Sequence, residues 1–261
     1  MAVNYSENCF TFNDEHSIDH GLYVSGDKTF NSAEKEYEKV SVPGRNGDLV
    51  LTSNRFKNVE LTYHAIVIDN YKVNTDNIRS WLLSPDGYCE LRDVYHPDEY
   101  RKAMFVGPID FETYLLQAGE TDITFDCMPQ RWLDSGDTPK TITATSGRVT
   151  DSILNPTRFD SKPKITVTGF GYLMIGSTRF YIYKNTEAEH PEAETTVLDC
   201  ELQDCYNGNV NKNSYVEIDP SWPVLKKSES TTIVLNSEGT FGVDGDTYIT
   251  NVEIIPRWWT I

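Results

Sequence analysis

The stretch Asn58-Val59-Glu60-Leu61-Thr62-Tyr63-His64-Ala65-Ile66-Val67 decides the fold class. Val59, Leu61, Tyr63, Ala65 and Val67 alternate with Asn58, Glu60, Thr62, His64 and Ile66. A period of two places one set of side chains on each face of a strand, so this segment reads as a half-buried strand. The same period recurs where Ile123, Phe125 and Cys127 alternate with Asp122, Thr124 and Asp126, and where Ile165 and Val167 alternate with Lys164, Thr166 and Thr168. Between such runs lie Pro43-Gly44, Asn46-Gly47, Asp86-Gly87, Asn207-Gly208 and Asp244-Gly245. Asn-Gly and Asp-Gly tolerate the positive φ that tight hairpins need. The chain reads as mainly β.

One short helix interrupts this pattern. Asn74 or Thr75 is the expected cap, with Asp76 in the first turn, where an anion suits the helix dipole. Ile78, Trp81 and Leu82 form the apolar stripe, and Ser84-Pro85 stops the helix. The segment Leu133-Asp134-Ser135-Gly136-Asp137-Thr138-Pro139-Lys140 is polar and turn-rich, and reads as a linker or a long crossing. The expected boundary falls within Trp132 to Thr150, giving an N-terminal domain over 1–135 and a C-terminal domain over 136–261. In the second domain Asn185 to Glu194 reads as an exposed loop. Strands are expected at Thr195-Leu198, Tyr215-Ile218, Thr231-Leu235 and Thr247-Ile255, a spacing that suggests a sandwich.

The 261 residues carry 23 basic and 40 acidic side chains, a formal charge of −17. That excess argues against a partner bound chiefly through phosphates, nucleic acid above all, and against an anionic membrane surface. No run approaches the roughly 18 apolar residues of a membrane-spanning helix. The opening Met1-Ala2-Val3-Asn4-Tyr5-Ser6 shows no basic-then-apolar pattern, so no signal peptide is read and folding in the cytoplasm is expected. Cys9, Cys89, Cys127, Cys200 and Cys205 are odd in number and scattered, which favours thiols over a disulfide framework.

Chemistry-bearing patterns are sparse. No Gly-x-Ser-x-Gly elbow occurs. His64 falls on a polar strand face, His190 in a polar loop and His96 before Pro97, all settings of a solvated or locally bonded imidazole. His16 and His20 have the spacing of a helical metal pair, but their segment lacks helix signals. Cys200 and Cys205 lack the second ligand pair that structural zinc wants, and Asp244-Gly245-Asp246 lacks the downstream glutamate of a calcium loop. No carboxylate pair sits in an apolar setting that would drive its pKa values apart. No enzyme, metal or cofactor is expected. The aromatic surplus of the second domain, Tyr172, Phe180, Tyr181, Tyr183, Trp222, Trp258 and Trp259, is mostly core in a sandwich, but a few such rings on a concave face can stack on sugars.

Four motifs in order carry a resemblance. They are Val42-Pro43-Gly44-Arg45-Asn46-Gly47-Asp48-Leu49; the block Trp81 to Tyr88 with Asp93 to Arg101; Phe125-Asp126-Cys127-Met128-Pro129-Gln130-Arg131-Trp132; and Ile255-Pro256-Arg257-Trp258-Trp259-Thr260-Ile261. Together the chain resembles the distal tail proteins of siphophages and prophages of Gram-positive hosts. The middle of the second domain, Thr141 to Pro191, matches least. The resemblance implies an N-terminal ring-forming β domain and a C-terminal sandwich of galectin-like or carbohydrate-module-like shape. It also implies a structural baseplate role in the virion: a hexameric ring of self-copies at the tail tip. Its implied partners are the major tail protein and tape-measure protein on one side, and the tail-associated fibre, lysin or receptor-binding protein on the other. It marks Trp81, Pro85, Gly87, Tyr88, Tyr95, Tyr100, Arg101, Pro129, Arg131, Trp132, Pro256, Arg257 and Trp258 as structural motif residues.

A ring joins unlike patches, and unpaired strand edges are natural joints. The hairpin from Val40 to Leu51 is therefore the expected contact, with Val42, Arg45, Asn46 and Leu49 as its residues. Six copies at −17 each would repel DNA passing through a lumen lined with some of that charge. The alternative function is a carbohydrate-binding module recognising a host cell-surface saccharide.

Overall fold

A computed structural model describes residues 9–24, 31–68, 70–114, 118–242 and 245–261. The opening hexapeptide and Asp244 of the expected Asp244-Gly245 turn lie outside the described residues. The chain divides into two compact units, Met1–Arg131 with Ile261, and Trp132–Thr260. It is mainly β in both.

In the first unit the sheet runs, edge to edge, Glu15–His16, Phe10–Phe12, Cys89–Asp93, Glu99–Phe105, Ala118–Leu133, Val59–Ile68 and Leu22–Val24. Val59–Ile68 alternates buried and exposed without a break, and Ala118–Leu133 pairs with it antiparallel, Phe125 opposite Leu61 and Ile123 opposite Tyr63. The buried set packs with Phe10, Phe12, Leu22 and the helix into one apolar cluster. Phe125 lies at its centre, with rings of Phe10, Phe12, Tyr63 and Phe105 within 6.1 Å.

The helix covers Tyr71–Leu83 and buries Thr75, Ile78, Trp81 and Leu82 against this sheet. Its stripe and its stop before Ser84-Pro85 are as the spacing predicts; its start is not. Neither Asn74 nor Thr75 is the cap. The helix begins one turn earlier, after Asn70, whose left-handed backbone (φ 38°, ψ 35°) turns the chain out of the strand within two residues of Ile68. Backbone bonds from Val73 and Asn74 to the Asn70 carbonyl close that turn without a side-chain cap. Asp76 consequently sits in the second turn, 3.4 Å from Arg79.

The second unit is a sandwich. One sheet orders Lys140–Thr143, Tyr248–Ile255, Lys164–Ile175, Thr195–Asp199, Asp204–Asn207 and Val210–Asn211. The other pairs Val149–Leu154 with Ser230–Leu235, and Thr178–Ile182 with Val216–Asp219. Lys164–Ile175 belongs to both. Its first half pairs with Thr195–Asp199 and Tyr248–Ile255, and its second half with Thr178–Ile182 and Ser230–Leu235. The switch falls at Gly169 and Gly171, at φ +103° and +117°, beside a register shift at Thr168/Gly169. A Cβ on Gly169 would lie 1.9 Å from the Tyr248 carbonyl oxygen and one on Gly171 2.0 Å from Thr247 Oγ1, so only glycine fits. Side chains of both sheets, among them Ile165, Val167, Leu198 and Val252 facing Leu173, Phe180, Ile233 and Leu235, share one core.

The polar stretch expected as a linker is ordered. Asp134–Asp137 forms a helical turn, and the closing segment holds it: the Leu133 N–H donates to the Trp258 carbonyl (3.0 Å) and the Arg257 N–H to the Gly136 carbonyl (2.8 Å). Gly136 lies so close that a Cβ there would stand 2.2 Å from the Trp258 nitrogen.

Candidate functional site

The segment Lys35–Val40 pairs with Leu49–Phe56 as a separate two-stranded sheet. The register sets Val40 opposite Leu49, Lys39 opposite Val50 and Glu38 opposite Leu51. Positive φ at Gly44 (+79°) and Gly47 (+81°) and a bond from the Arg45 N–H to the Val42 carbonyl (3.1 Å) shape the loop between them. Most residues of the two strands are exposed, with Glu36, Val40 and Phe56 half-buried, and Tyr37, Val42, Leu49, Val50 and Leu51 are large apolar side chains left in solvent. Val42, Arg45, Asn46 and Leu49 thus lie together on the loop and the start of the return strand, all exposed. Leu49 and Leu51 stand on one face of the ribbon and Val50 and Tyr37 on the other, so both faces carry exposed apolar side chains. The ion pairs Arg55–Glu36 (3.6 Å) and Lys57–Glu34 (3.2 Å) are exposed and contribute little.

The outward face of the longest strand pair in the main sheet has a single sign. Across the pair Val59–Ile68 and Ala118–Leu133, the register sets Glu60 opposite Asp126, Thr62 opposite Thr124, His64 opposite Asp122 and Ile66 opposite Glu120. Neither a lysine nor an arginine stands at these eight positions. His64 Nδ1 bonds Asp122 across the strands.

Many of the motif residues make contacts within the fold. Trp81 is buried, donates its indole N–H to the Phe12 carbonyl (3.2 Å) and stacks on His20 (4.3 Å). The Tyr88 hydroxyl accepts from Asn58 (2.7 Å), which also holds Asp126. Asp93 caps the turn that follows it by accepting from the backbone N–H of Tyr95 and His96, while its other oxygen takes the Tyr63 hydroxyl (2.7 Å). Arg92 lies over the Tyr100 ring (4.8 Å). Arg131 pairs with Glu99 (3.2 Å) and donates to the Ile261 carbonyl (2.7 Å). Arg101 stands beside Tyr63, and its burial, with Arg131 near, lowers its pKa. Trp132 and Trp258 are buried. Arg257 makes a two-pronged pair with Asp199, at 2.8 and 2.7 Å. Burial alone would raise Asp199, but the Arg257 bonds and the N–H groups of Leu202 and Glu201 outweigh it and hold the carboxyl below its usual range. Glu99 lies inside the Asp93 to Arg101 motif and Asp199 in none, but neither pairing with Arg131 or Arg257 can be read from the sequence, because each forms only through the sheets.

The remaining candidates are dispersed. His16 bonds Thr11, His20 bonds Glu15 and His190 bonds Glu192. Cys200 and Cys205 are buried, which pushes both thiols up to about 12. Among the described residues no group of His, Cys, Asp and Glu is placed to hold a metal ion. Phe180 and Trp258 are core, Trp222 meets Phe180 edge-on, and Trp259 stacks on Phe159 (4.4 Å).

The other three aromatics of the surplus converge. Tyr172 lies opposite Tyr181 in register with ring centres 4.5 Å apart, and Tyr181 meets Tyr183 at 4.7 Å. These rings line a cleft of about 500 Å³ whose other walls include Arg179, Glu217, Asp219 and Glu238. Tyr183 donates to Glu217 (3.1 Å), and Arg179 pairs with Glu238 (3.3 Å).

No protein-family model matches the chain, and no curated protein matches it. Among solved structures, it is similar to the SPP1 Dit protein (gp 19.1), described as a paradigm of the hub adsorption apparatus in Gram-positive infecting phages. The TM-score is 0.65 over 97% of this chain and 99% of that one, at 13% identity. The chain has the fold of that phage hub protein.

Proposed function

We propose that this protein is a structural component of a bacteriophage tail tip, a ring of self-copies that joins the tail tube to the fibre, lysin or receptor-binding apparatus. The observation that carries this reading is the likeness of fold to a phage hub protein along nearly the whole length of both chains. The hairpin supports it. An isolated two-stranded ribbon with exposed Leu49, Val50 and Leu51 is marginal alone and gains stability by lying on another surface. Six copies fit the resemblance, with each hairpin reaching a different patch on its neighbour. The outward face of the Val59–Ile68/Ala118–Leu133 pair, with four carboxylates and neither lysine nor arginine at those positions, suits a lumen that DNA must pass without adhering. The major tail protein and the tape-measure protein are the proposed partners on the tube side, and the virion is the proposed location.

Light scattering and electron microscopy of the chain, alone and mixed with its tail-tube protein, test this. The expected species is a ring near six times 29.7 kDa that Val50→Asp with Leu51→Asp abolishes. A chain that stays monomeric beside the tube protein, or a ring indifferent to those substitutions, overturns the hairpin joint. A basic lumen in such a ring overturns the proposed role of the acidic face.

A further inference from the structure

We infer that the cleft lined by Tyr172, Tyr181 and Tyr183 in the second unit is a binding site for a saccharide without anionic groups. Its position is fixed by the sheet. The register puts Tyr172 opposite Tyr181 and Tyr181 opposite Glu217, and Tyr183 lies two residues on, so all four side chains stand on one face. The intervening residues Leu173, Phe180 and Ile182 point into the core. The platform is thus built on strands whose other face is packed, and it needs no rearrangement to form.

The rings are half-buried or, for Tyr183, exposed, although an apolar core lies directly behind them. A pyranose presents C–H groups on its faces and hydroxyls around its rim. Tyrosine π-faces, which carry partial negative charge, suit the first. Carboxylates accept from the second, and Glu217, Asp219 and Glu238 stand at the cleft wall. The volume of about 500 Å³ falls within the range of small-molecule sites, large enough for one or two sugar rings. Sign decides between saccharides. Three carboxylates face one guanidinium, and Arg179 is already paired with Glu238, so phosphate- or carboxylate-bearing polymers are repelled. Tyr183, whose O–H is donated to Glu217, and Tyr181, through burial and the nearby Tyr172 and Asp246, both keep their phenol protons more tightly than usual and add no negative charge to the cleft. The site does not depend on the ring, so it stands or falls apart from the tail-tip reading.

Saturation-transfer NMR on the full chain tests it, using oligosaccharides of hexoses and N-acetylhexosamines against glycerol-phosphate polymer and a uronate glycan. The expected result is transfer to a neutral oligosaccharide at ligand concentrations of about 5 mM or less. Tyr181→Ala and Tyr183→Ala weaken binding by about tenfold or more, while Tyr183→Phe, which keeps the ring, stays within about threefold. Tyr183 is exposed, so its variants leave the core untouched, and chemical-shift mapping on the unsubstituted chain provides a second reading at the same tyrosines. No transfer from any neutral sugar, equal binding by the alanine variants, shifts mapping elsewhere, or binding confined to the anionic polymers each overturns the inference.

Discussion

The hairpin Lys35–Val40/Leu49–Phe56 and the strand Lys164–Ile175 are both long stretches of β structure, and they are opposite in what they bury. Lys164–Ile175 pairs with four other strands, and its Ile165, Val167, Leu173 and Ile175 belong to the buried cluster between the sheets. Among the described residues the two hairpin strands pair only with each other, and Tyr37, Leu49, Val50 and Leu51 are left in solvent. Backbone pairing alone does not make a stable element, because ordering each residue costs about 1–2 kcal/mol that apolar burial must offset. The strand meets that cost inside one chain. The hairpin does not, and that is the ground for proposing it as the ring joint.

Three substitutions test this contrast, beginning with the largest effect. Gly171→Ala places a Cβ 2.0 Å from Thr247 Oγ1 at φ +117°, and should cost more than about 4 kcal/mol. Hydrogen exchange of Lys164–Ile175 amides should then rise steeply while that of Val59–Ile68 stays slow; an unchanged pattern would show that the strand can bend elsewhere.

The next effect is electrostatic. Asp199→Asn leaves half-buried Arg257 without its carboxylate and should cost on the order of 3 kcal/mol near neutral pH. The folded-state pKa of Asp199 lies below its unfolded value of about 3.9, so its contribution is fully present above that value and is lost as pH falls from there through the lower folded-state pKa. Denaturation curves of the parent and the variant should therefore converge below about pH 4. A gap that is constant with pH refutes the assignment.

The smallest effect is expected in the hairpin. Val50→Ala should change the stability of the unassembled chain by no more than about 0.5 kcal/mol, since the side chain is 55% exposed. A loss of several times that in urea unfolding would mean that the hairpin is already packed without a neighbour.

What could be read from the sequence followed from periodicity. Val59 to Val67 and Ile123 to Cys127 announce their buried faces because the pleat repeats every two residues, and Ile78, Trp81 and Leu82 do the same for the helix. The helix start escaped because it depends on the left-handed backbone of Asn70, which leaves no apolar signature. The polar run at Asp134 reads as a linker until Trp258 and Arg257 close over it from the far end of the chain. The tyrosine cleft was visible only as an aromatic surplus. Phe180 and Tyr181 are adjacent in sequence yet face core and cleft respectively, and only the register that sets Tyr172 against Tyr181 shows which rings meet. Arg131 and Arg257 stood out as motif residues, but their partners Glu99 and Asp199 come from distant strands.

The double glycine bend in Lys164–Ile175 has a mechanical side. In most sandwiches the two layers are coupled by side-chain packing and by loops at the rim, and a pull can shear one across the other. Here an unbroken length of backbone passes from the middle of one layer into the other. A load applied to Tyr248–Ile255 enters Lys164–Ile175 through the hydrogen bonds of their ladder and then crosses between the layers along that one covalent strand.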